Sequence, residues 1–287
     1  MQCPQSRGRW EETHDLPKVL FHLAAIEEER KGHEGVRPMT TSSNSSPFTP
    51  MIGYLHLIRP LNAILSMVGV LIGYMLAWGG FYFTPQLVYG LLAVFCISGG
   101  GQAINDYYDY AIDRKRKADR PLVKGIVSRR NGLIFALALF GLGVVFASYL
   151  NELSFYIAVF FSILLILYSA VMQEIKFVGN VVVALGTGFT FIFGASILTI
   201  PPVVVLIAFS AFLANWVREI VKDMEDVEED RGHKQTLPTL MKSHEVKVFT
   251  GVLLLVAVFS GYLPHFAGLS NSYYLLLVTL ANLVFIL

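Results

Sequence analysis

Charged residues are scarce in this sequence. Asp, Glu, Lys and Arg make up only 15% of its 287 residues, and the mean hydropathy is +0.57. Soluble globular domains are about 25% charged, so this composition does not fit one. Uninterrupted apolar runs of about 18 or more residues are typical of transmembrane helices. The sequence predicts eight such spans, at about 60–82, 84–105, 132–150, 154–172, 178–199, 201–217, 248–263 and 272–287.

Cysteine, paired histidines and net charge are also lacking. The two cysteines, Cys3 and Cys96, form neither a disulfide framework nor a CxxC metal pattern. The seven histidines include no HxxxH or HExxH pair, which argues against a zinc enzyme. The formal net charge is only +1, so the chain has no basic surplus for binding nucleic acid. We therefore expect no nucleic-acid partner.

Lysine and arginine are absent from every second connection between the predicted spans. If the first span starts in the cytoplasm, all 22 basic residues fall in the N-terminal region or on the inner side. Basic residues are retained on the cytoplasmic side of membrane proteins. The sequence therefore predicts an integral, multi-pass protein of the cell membrane with a cytoplasmic N-terminus.

Residues 1–50 differ in composition from the rest of the chain. They are polar, rich in Ser, Thr and Pro near their end, and contain no signal-peptide apolar region. Such a composition cannot bury enough apolar surface to order a chain. We expect a mostly disordered extension over 1–50 and a transmembrane domain over 51–287.

Two polar stretches interrupt the apolar sequence with the same arrangement of aspartates. Each holds three aspartates at positions i, i+3 and i+7, directly after a predicted span. A helix turns about 100° per residue, so each triad forms one acidic stripe. Like charges on one face repel, and carboxylates at membrane depth are costly, so we expect a bound cation. The triads are Asp106, Asp109 and Asp113, and, 117 positions later, Asp223, Asp226 and Asp230.

The residue types in these stretches point to magnesium and phosphate. Carboxylate oxygens are hard ligands, which favour Mg²⁺, Mn²⁺ or Ca²⁺ over Zn²⁺. Mg²⁺ usually takes one or two carboxylates and completes its coordination with water and phosphate. Two acidic stretches therefore predict two Mg²⁺ ions, replaceable by Mn²⁺, that hold one diphosphate. Basic residues suited to phosphate oxygens follow both triads: Arg114, Lys117 and Arg120 after the first, and Arg231 and Lys234 after the second.

At these residues the chain resembles the UbiA superfamily of intramembrane prenyltransferases. The family's NDxxDxxxD motif corresponds to 105–113, followed by DRPL at 119–122, and its second aspartate motif corresponds to 223–230, followed by TLP at 236–238. Weaker matches are an RPxN sequence and a YS…K…GN stretch. These matches imply further substrate-binding residues: Arg59, Asn62, Asn105, Tyr168, Ser169, Lys176 and Asn180.

The resemblance implies an all-α polytopic bundle of eight to nine transmembrane helices around a central cavity, capped by cytoplasmic loops. It implies Mg²⁺-dependent transfer from a polyprenyl diphosphate among membrane lipids, with the six aspartates as catalytic metal ligands. The stretch 218–238 is most similar to archaeal members that use geranylgeranyl diphosphate to prenylate geranylgeranylglyceryl phosphate. Lys176, Arg218 and Lys222 suit an acceptor phosphate. A carboxylated aromatic acceptor of quinone synthesis, such as 4-hydroxybenzoate or a naphthoate, would also favour these cations and stays open.

An ion-coupled transporter is the alternative from another class. Intramembrane carboxylates and internal repeats also occur in transporters. Here, however, the acids lie at the ends of the predicted spans rather than at their middle, and Glu152 is the only acid on the predicted outer side. Both features favour the enzyme.

Overall fold

The computed structural model describes residues 49–172, 178–227 and 236–286. The predicted extension lies outside this part of the chain except for its last two residues, so its disorder stays a prediction. The described residues form helices and connections without any strand. The helices are α1 (Thr49–Ile58), α2 (Pro60–Trp78), α3 (Pro85–Lys115), α4 (Arg129–Ser148), α5 (Glu152–Ala170), α6 (Val178–Ser196), α7 (Pro202–Glu225), α8 (Leu237–Leu240), α9 (Ser243–Ser260), α10 (Leu263–Phe266) and α11 (Ser272–Ile286).

Seven of the described helices are long and apolar enough to cross a membrane: α2 to α7 and α9. The eighth predicted span corresponds to α11, which has 15 residues. At a rise of 1.5 Å per residue it is about 22 Å long, shorter than the roughly 30 Å apolar core of a bilayer. The all-helical membrane bundle is confirmed, and the predicted count of eight to nine spans is approximate.

Helices α3 and α7 continue past the predicted ends of their spans. Helix α3 has 31 residues, which makes it about 46 Å long, and α7 has 24, or about 36 Å. Both exceed the roughly 30 Å of the apolar core. The extra turns of α3 carry Asp106, Asp109 and Asp113, and those of α7 carry Asp223, with Asp226 directly after the helix. The first predicted acidic stripe therefore lies on one helix, and the second is described only at its start.

Local signals define where these helices begin. The Thr84 hydroxyl accepts a hydrogen bond from the Leu87 amide (3.2 Å), and Pro85 follows as the first residue of α3. Proline suits this position because an N–H at the first residue of a helix has no partner within the helix, and proline has none to leave unpaired. Pro202 opens α7 in the same way. Pro85 and Pro202 are 117 positions apart, the spacing of the two aspartate triads, so the repeat includes whole helices as well as the motifs.

Helices α2 and α6 pack against each other and lie between the two motif helices. Each of them contacts both α3 and α7. Their axes approach closely because glycines lie at the crossing: a Cβ on Gly73 would come within 2.0 Å of the Phe191 carbonyl oxygen, and one on Gly194 within 2.0 Å of the Val70 carbonyl oxygen. Small residues permit such close backbone contact between membrane helices. This close contact holds together the two helices that pack against both motif helices.

We expect Gly194→Ala to destabilise the bundle, because its methyl group would overlap the α2 backbone. Overpacking of this kind costs about 1–3 kcal/mol. Gly186→Ala on the same helix is the matched control, since a Cβ there meets nothing within 4 Å and alanine favours helix. Thermal unfolding in detergent should give a lower Tm for Gly194→Ala than for Gly186→Ala. Equal Tm values would contradict the close α2–α6 contact.

Candidate active site

The first aspartate motif lies on the last three turns of α3. Asp106 is 2% exposed, and its Oδ1 accepts a hydrogen bond of 2.6 Å from Nη2 of Arg59, the residue between α1 and α2. One turn later, Asn105 Nδ2 donates to Asp109 Oδ2 (2.9 Å). Asp113 lies 3.8 Å from Arg120 Nε, measured from its Oδ2. The predicted stripe is therefore formed, with cations from two other segments beside it.

The connection after α3 folds back under the bundle. Leu122 and Val127 are buried, and a Cβ on Gly53 of α1 would meet Ile126 and Val127, so this segment packs against α1. An ion pair joins Lys124 to the exposed Asp119. The hydrogen bond and charge of Lys124 hold the pKa of the Asp119 carboxyl below its ordinary value. Asp119 is thus a charged surface group of the DRPL sequence and no part of the buried acidic cluster.

The second motif is described only in part. Asp223 lies on the last turns of α7, and its Oδ2 accepts a hydrogen bond of 2.7 Å from Asn180 Nδ2 on the first turn of α6. Asp226 follows directly after α7 as its C-terminal cap. Three predicted residues of this motif, namely Asp230, Arg231 and Lys234, and also Lys176, lie outside the described residues.

Tyr168 lies near carboxylates of both motifs. It lies at the end of α5, within electrostatic range of both Asp109 on α3 and Asp223 on α7. Carboxylates more than 100 positions apart in the sequence therefore lie near the same side chain. Next to it, Ser169 is 1% exposed, and its buried Oγ bonds to none of the described residues.

Several predicted residues lie away from the buried cluster. Asn62 has an exposed side chain, and its backbone carbonyl accepts a hydrogen bond from the Ser66 hydroxyl (3.1 Å). The remaining predicted cations are exposed near the same end of the bundle, and Arg218 pairs with its neighbour Glu219 (2.8 Å). These exposed cations are Arg114, Lys117, Arg218 and Lys222.

Two residues near the cluster were not predicted from the sequence. Glu219 lies one turn before Asp223 on α7, has a side chain 14% exposed, and is within electrostatic range of Tyr168. Extending the acidic stripe by one turn towards the N-terminus would have identified it. Arg129, the first residue of α4, lies over the rings of Tyr107 (4.7 Å) and Tyr110 (5.3 Å). No sequence pattern links it to α3, because the contact arises from the fold.

The oxygen atoms at the first motif suit a magnesium ion. Asp106 Oδ2 and Asn105 Oδ1 are buried and bond to none of the described residues, so each has free capacity to accept. Within the described ranges, no three Asp, Glu, His or Cys side chains converge into a complete metal cage. Mg²⁺ does not need one, because it usually binds one or two carboxylates and fills its other positions with water and phosphate. The residues present therefore fit this ion.

Comparison with known proteins identifies the family. The UbiA prenyltransferase family profile matches residues 66–287. Digeranylgeranylglyceryl phosphate synthase of Methanopyrus kandleri is 38% identical over 239 residues, 83% of this chain and 87% of that protein. The enzyme of the same name from Thermococcus gammatolerans is 38% identical over 227 residues, 77% of this chain and 80% of its own.

Solved structures agree with the sequence comparison. A structure of digeranylgeranylglyceryl phosphate synthase in membranes superposes with a TM-score of 0.72 at 31% identity, covering 83% of this chain and 85% of that one. A UbiA homologue from Archaeoglobus fulgidus, bound to GPP and Mg²⁺, gives 0.68 at 21% identity over 82% of this chain and 84% of its own, and it shows the common fold alone. Family profile, sequence identity and fold coincide, and the chain belongs to the UbiA prenyltransferase family as a multi-pass membrane enzyme.

Proposed function

We propose that this enzyme transfers a geranylgeranyl group from geranylgeranyl diphosphate to geranylgeranylglyceryl phosphate in ether-lipid synthesis. The observation that carries the chemistry is that Asp109 and Asp223 both lie within electrostatic range of Tyr168, which supports two acidic sides for one diphosphate. The acceptor is supported by relatives named digeranylgeranylglyceryl phosphate synthase that are 30–38% identical over about four fifths of their own length or more.

In this proposal the aspartates of both motifs hold two Mg²⁺ ions, which Mn²⁺ can replace. Bound Mg²⁺ neutralises the diphosphate and makes it a better leaving group. Asn105 and Asn180 orient the carboxylates of Asp109 and Asp223, to which they donate hydrogen bonds of 2.9 and 2.7 Å. Ligating carboxylates that are themselves hydrogen-bonded bind metal more tightly. Asp113, Asp226 and Asp230 complete the proposed ligand set.

The cations around the acidic cluster are assigned to the two phosphate-bearing substrates. Arg120, whose Nε lies 3.8 Å from Asp113 Oδ2, is proposed to contact the diphosphate of the donor. Arg114 and Lys117 on the same segment, with Arg231 and Lys234 after the second motif, add positive charge around it. Lys176, Arg218 and Lys222 are proposed to bind the acceptor phosphate, and the exposure of Arg218 and Lys222 supports access from the membrane surface.

Burial of the reacting end protects the intermediate. Ionisation of an allylic diphosphate develops positive charge on carbon, and water would capture it. Asp106 is only 2% exposed, which supports a site closed to bulk water at its inner end. Tyr168, which lies near carboxylates of both motifs, is placed to stabilise the positive charge through its ring. Ser169 beside it offers a buried hydroxyl for the acceptor.

Two further elements of the proposal concern membrane orientation and the acceptor. No Lys or Arg occurs in the connections 79–84, 149–151, 197–201 and 261–271, which supports placing the other end of the bundle, with both motifs, in the cytoplasm.

A carboxylated aromatic acceptor is the second candidate, and the names of the relatives favour the lipid. Membership of an enzyme family leaves no support for the transporter interpretation.

The proposed reaction predicts a Mg²⁺-dependent diether product. Reconstituted protein supplied with labelled geranylgeranyl diphosphate should prenylate geranylgeranylglyceryl phosphate, release diphosphate, and stop when EDTA removes the metal. A parallel reaction with 4-hydroxybenzoate should give no product, and product analysis by chromatography measures both. A prenylated aromatic would keep the chemistry and overturn the proposed acceptor, whereas no transfer to either would contradict the function.

Asp106→Ala and Asp223→Ala should each abolish transfer, because each removes a proposed metal ligand. Loss of several kcal/mol of charge stabilisation corresponds to a rate reduction of about a thousandfold or more. Glu152→Ala is the control, since Glu152 lies at the start of α5, at the opposite end of that helix from Tyr168, and should retain full turnover. Initial rates and circular dichroism on the same samples separate catalysis from folding. Retained activity in either aspartate variant would contradict the two-motif site.

Asn180→Ala should weaken catalysis less than loss of Asp223 itself. Its 2.7 Å hydrogen bond orients the Asp223 carboxylate, and removal of such a supporting bond typically lowers metal affinity or activity about 10–100-fold. Asn131→Ala, an exposed asparagine near the start of α4, serves as the matched control. Titration of the transfer rate with Mg²⁺ should show that Asn180→Ala alone needs a higher Mg²⁺ concentration to reach half of its maximal rate. Identical titrations for the two variants would contradict this role.

A further inference from the structure

The ion pair between Arg59 and Asp106 joins two distant parts of the site. The Arg59 guanidinium, 28% exposed, donates from Nη2 to Oδ1 of the almost fully buried Asp106 at 2.6 Å. A buried carboxylate is unstable without a compensating cation. In the structure as described, Arg59 provides that cation. It therefore occupies one oxygen of a side chain that is also a proposed metal ligand.

The pair leaves hydrogen-bonding capacity unused on both sides. Arg59 Nε and Asp106 Oδ2 are both buried, and neither bonds to any described residue. A guanidinium that binds a carboxylate through both of its donor positions would satisfy these atoms. Arg59 instead makes a single short bond. The contact supplies charge to Asp106 and leaves its second oxygen able to accept another partner.

The backbone of Arg59 is strained. Its φ of 49° and ψ of 73° lie in the left-handed region, which non-glycine residues rarely adopt. The following residue, Pro60, disfavours this conformation further, because a residue before proline prefers an extended backbone. Such strain persists only where the surroundings require it, and it is concentrated at functional sites. The turn between α1 and α2 thus holds the guanidinium against α3.

We propose that Arg59 takes the place of the metal at Asp106 in the metal-free protein and is exchanged for it when the ion binds. This inference rests on the proposed function, in which Asp106 is a metal ligand. Each state then keeps one positive partner on the buried carboxylate, and no covalent bond changes. Arg59 is a positioning residue: its hydrogen bond holds the Asp106 carboxyl in place, and it competes with the metal.

The exchange has a signature that a purely structural ion pair lacks. Removing the guanidinium should destabilise the metal-free protein and at the same time tighten metal binding, because the ion no longer has to displace a competitor. A residue that merely supports the site would weaken metal binding when lost. The sign of the change in metal affinity therefore distinguishes the two roles.

The test measures Mn²⁺ binding to the full chain in detergent at pH 8, by electron paramagnetic resonance, without any prenyl substrate. Arg59→Gln should lower the Mn²⁺ Kd about tenfold, since loss of a competing interaction worth about 1.4 kcal/mol is a factor of ten. Its metal-free Tm should fall by about 5 °C or more. Saturating Mn²⁺ should return the Tm close to that of the unmodified protein. An unchanged or raised Kd would overturn the proposal.

Three further variants keep the test decisive. Arg130→Gln removes one exposed arginine at the start of α4, and its Mn²⁺ Kd should stay unchanged. If its Kd fell as much as that of Arg59→Gln, the effect would come from net charge alone and the proposal would be wrong. Arg59→Lys keeps a cation, so it folds without metal and should give an intermediate Kd. The double variant Arg59→Gln with Asp106→Asn removes both charges. Without metal, its Tm should be higher than that of Arg59→Gln alone. If the double variant is no more stable, Arg59 does not compensate Asp106, and the proposal is wrong.

The readout also separates this inference from the proposed function. If the unmodified protein makes the diether product but Arg59→Gln shows no gain in Mn²⁺ affinity, only the exchange is wrong. If Mn²⁺ binding responds as expected but no prenyl product forms with either acceptor, the proposed function fails and the exchange at Asp106 stands.

Discussion

The need to compensate a buried carboxylate within the helix bundle constrains the end of this protein that carries the two motifs. Asp106 is 2% exposed on a helix whose preceding turns are apolar, so a cation has to reach it. Arg59 does so from a strained turn, which fixes how α1 meets α2. Asn180 holds Asp223 in the corresponding place at the start of α6. In the sequence, Lys176 stands 117 positions after Arg59, which gives the second half a basic residue at the equivalent position.

The features that follow from local chemistry were predictable from the sequence. Apolar runs without charge predict spans, because a backbone in lipid must satisfy its hydrogen bonds within a helix. The i, i+3, i+7 spacing of Asp106, Asp109 and Asp113 predicts one stripe, and the structure has all three on α3. The resemblance to UbiA enzymes led to Asn105 and Asn180, and both bond to motif carboxylates. The identity of each metal ligand stays a prediction.

Features that arise from tertiary contacts were not predictable in the same way. No spacing rule links Arg59 to Asp106, 47 positions away, or Arg129 to the rings of Tyr107 and Tyr110. The resemblance named Arg59 as a substrate residue, yet only the fold shows its carboxylate partner. Asn62 was named by the same motif, yet its side chain is exposed.

The length of α3 has a consequence for how substrates travel. At about 46 Å it exceeds the apolar thickness of a bilayer by about 16 Å, so a helix that crosses the core upright carries its acidic turns to the depth of lipid headgroups. A lipid diphosphate and a lipid phosphate already carry their polar ends at that depth. For the proposed substrates, neither chain has to be lifted from the bilayer, and the product stays in the same leaflet. Encounter then reduces to lateral diffusion in two dimensions, and substrate supply depends on concentration in the leaflet rather than on solubility in water.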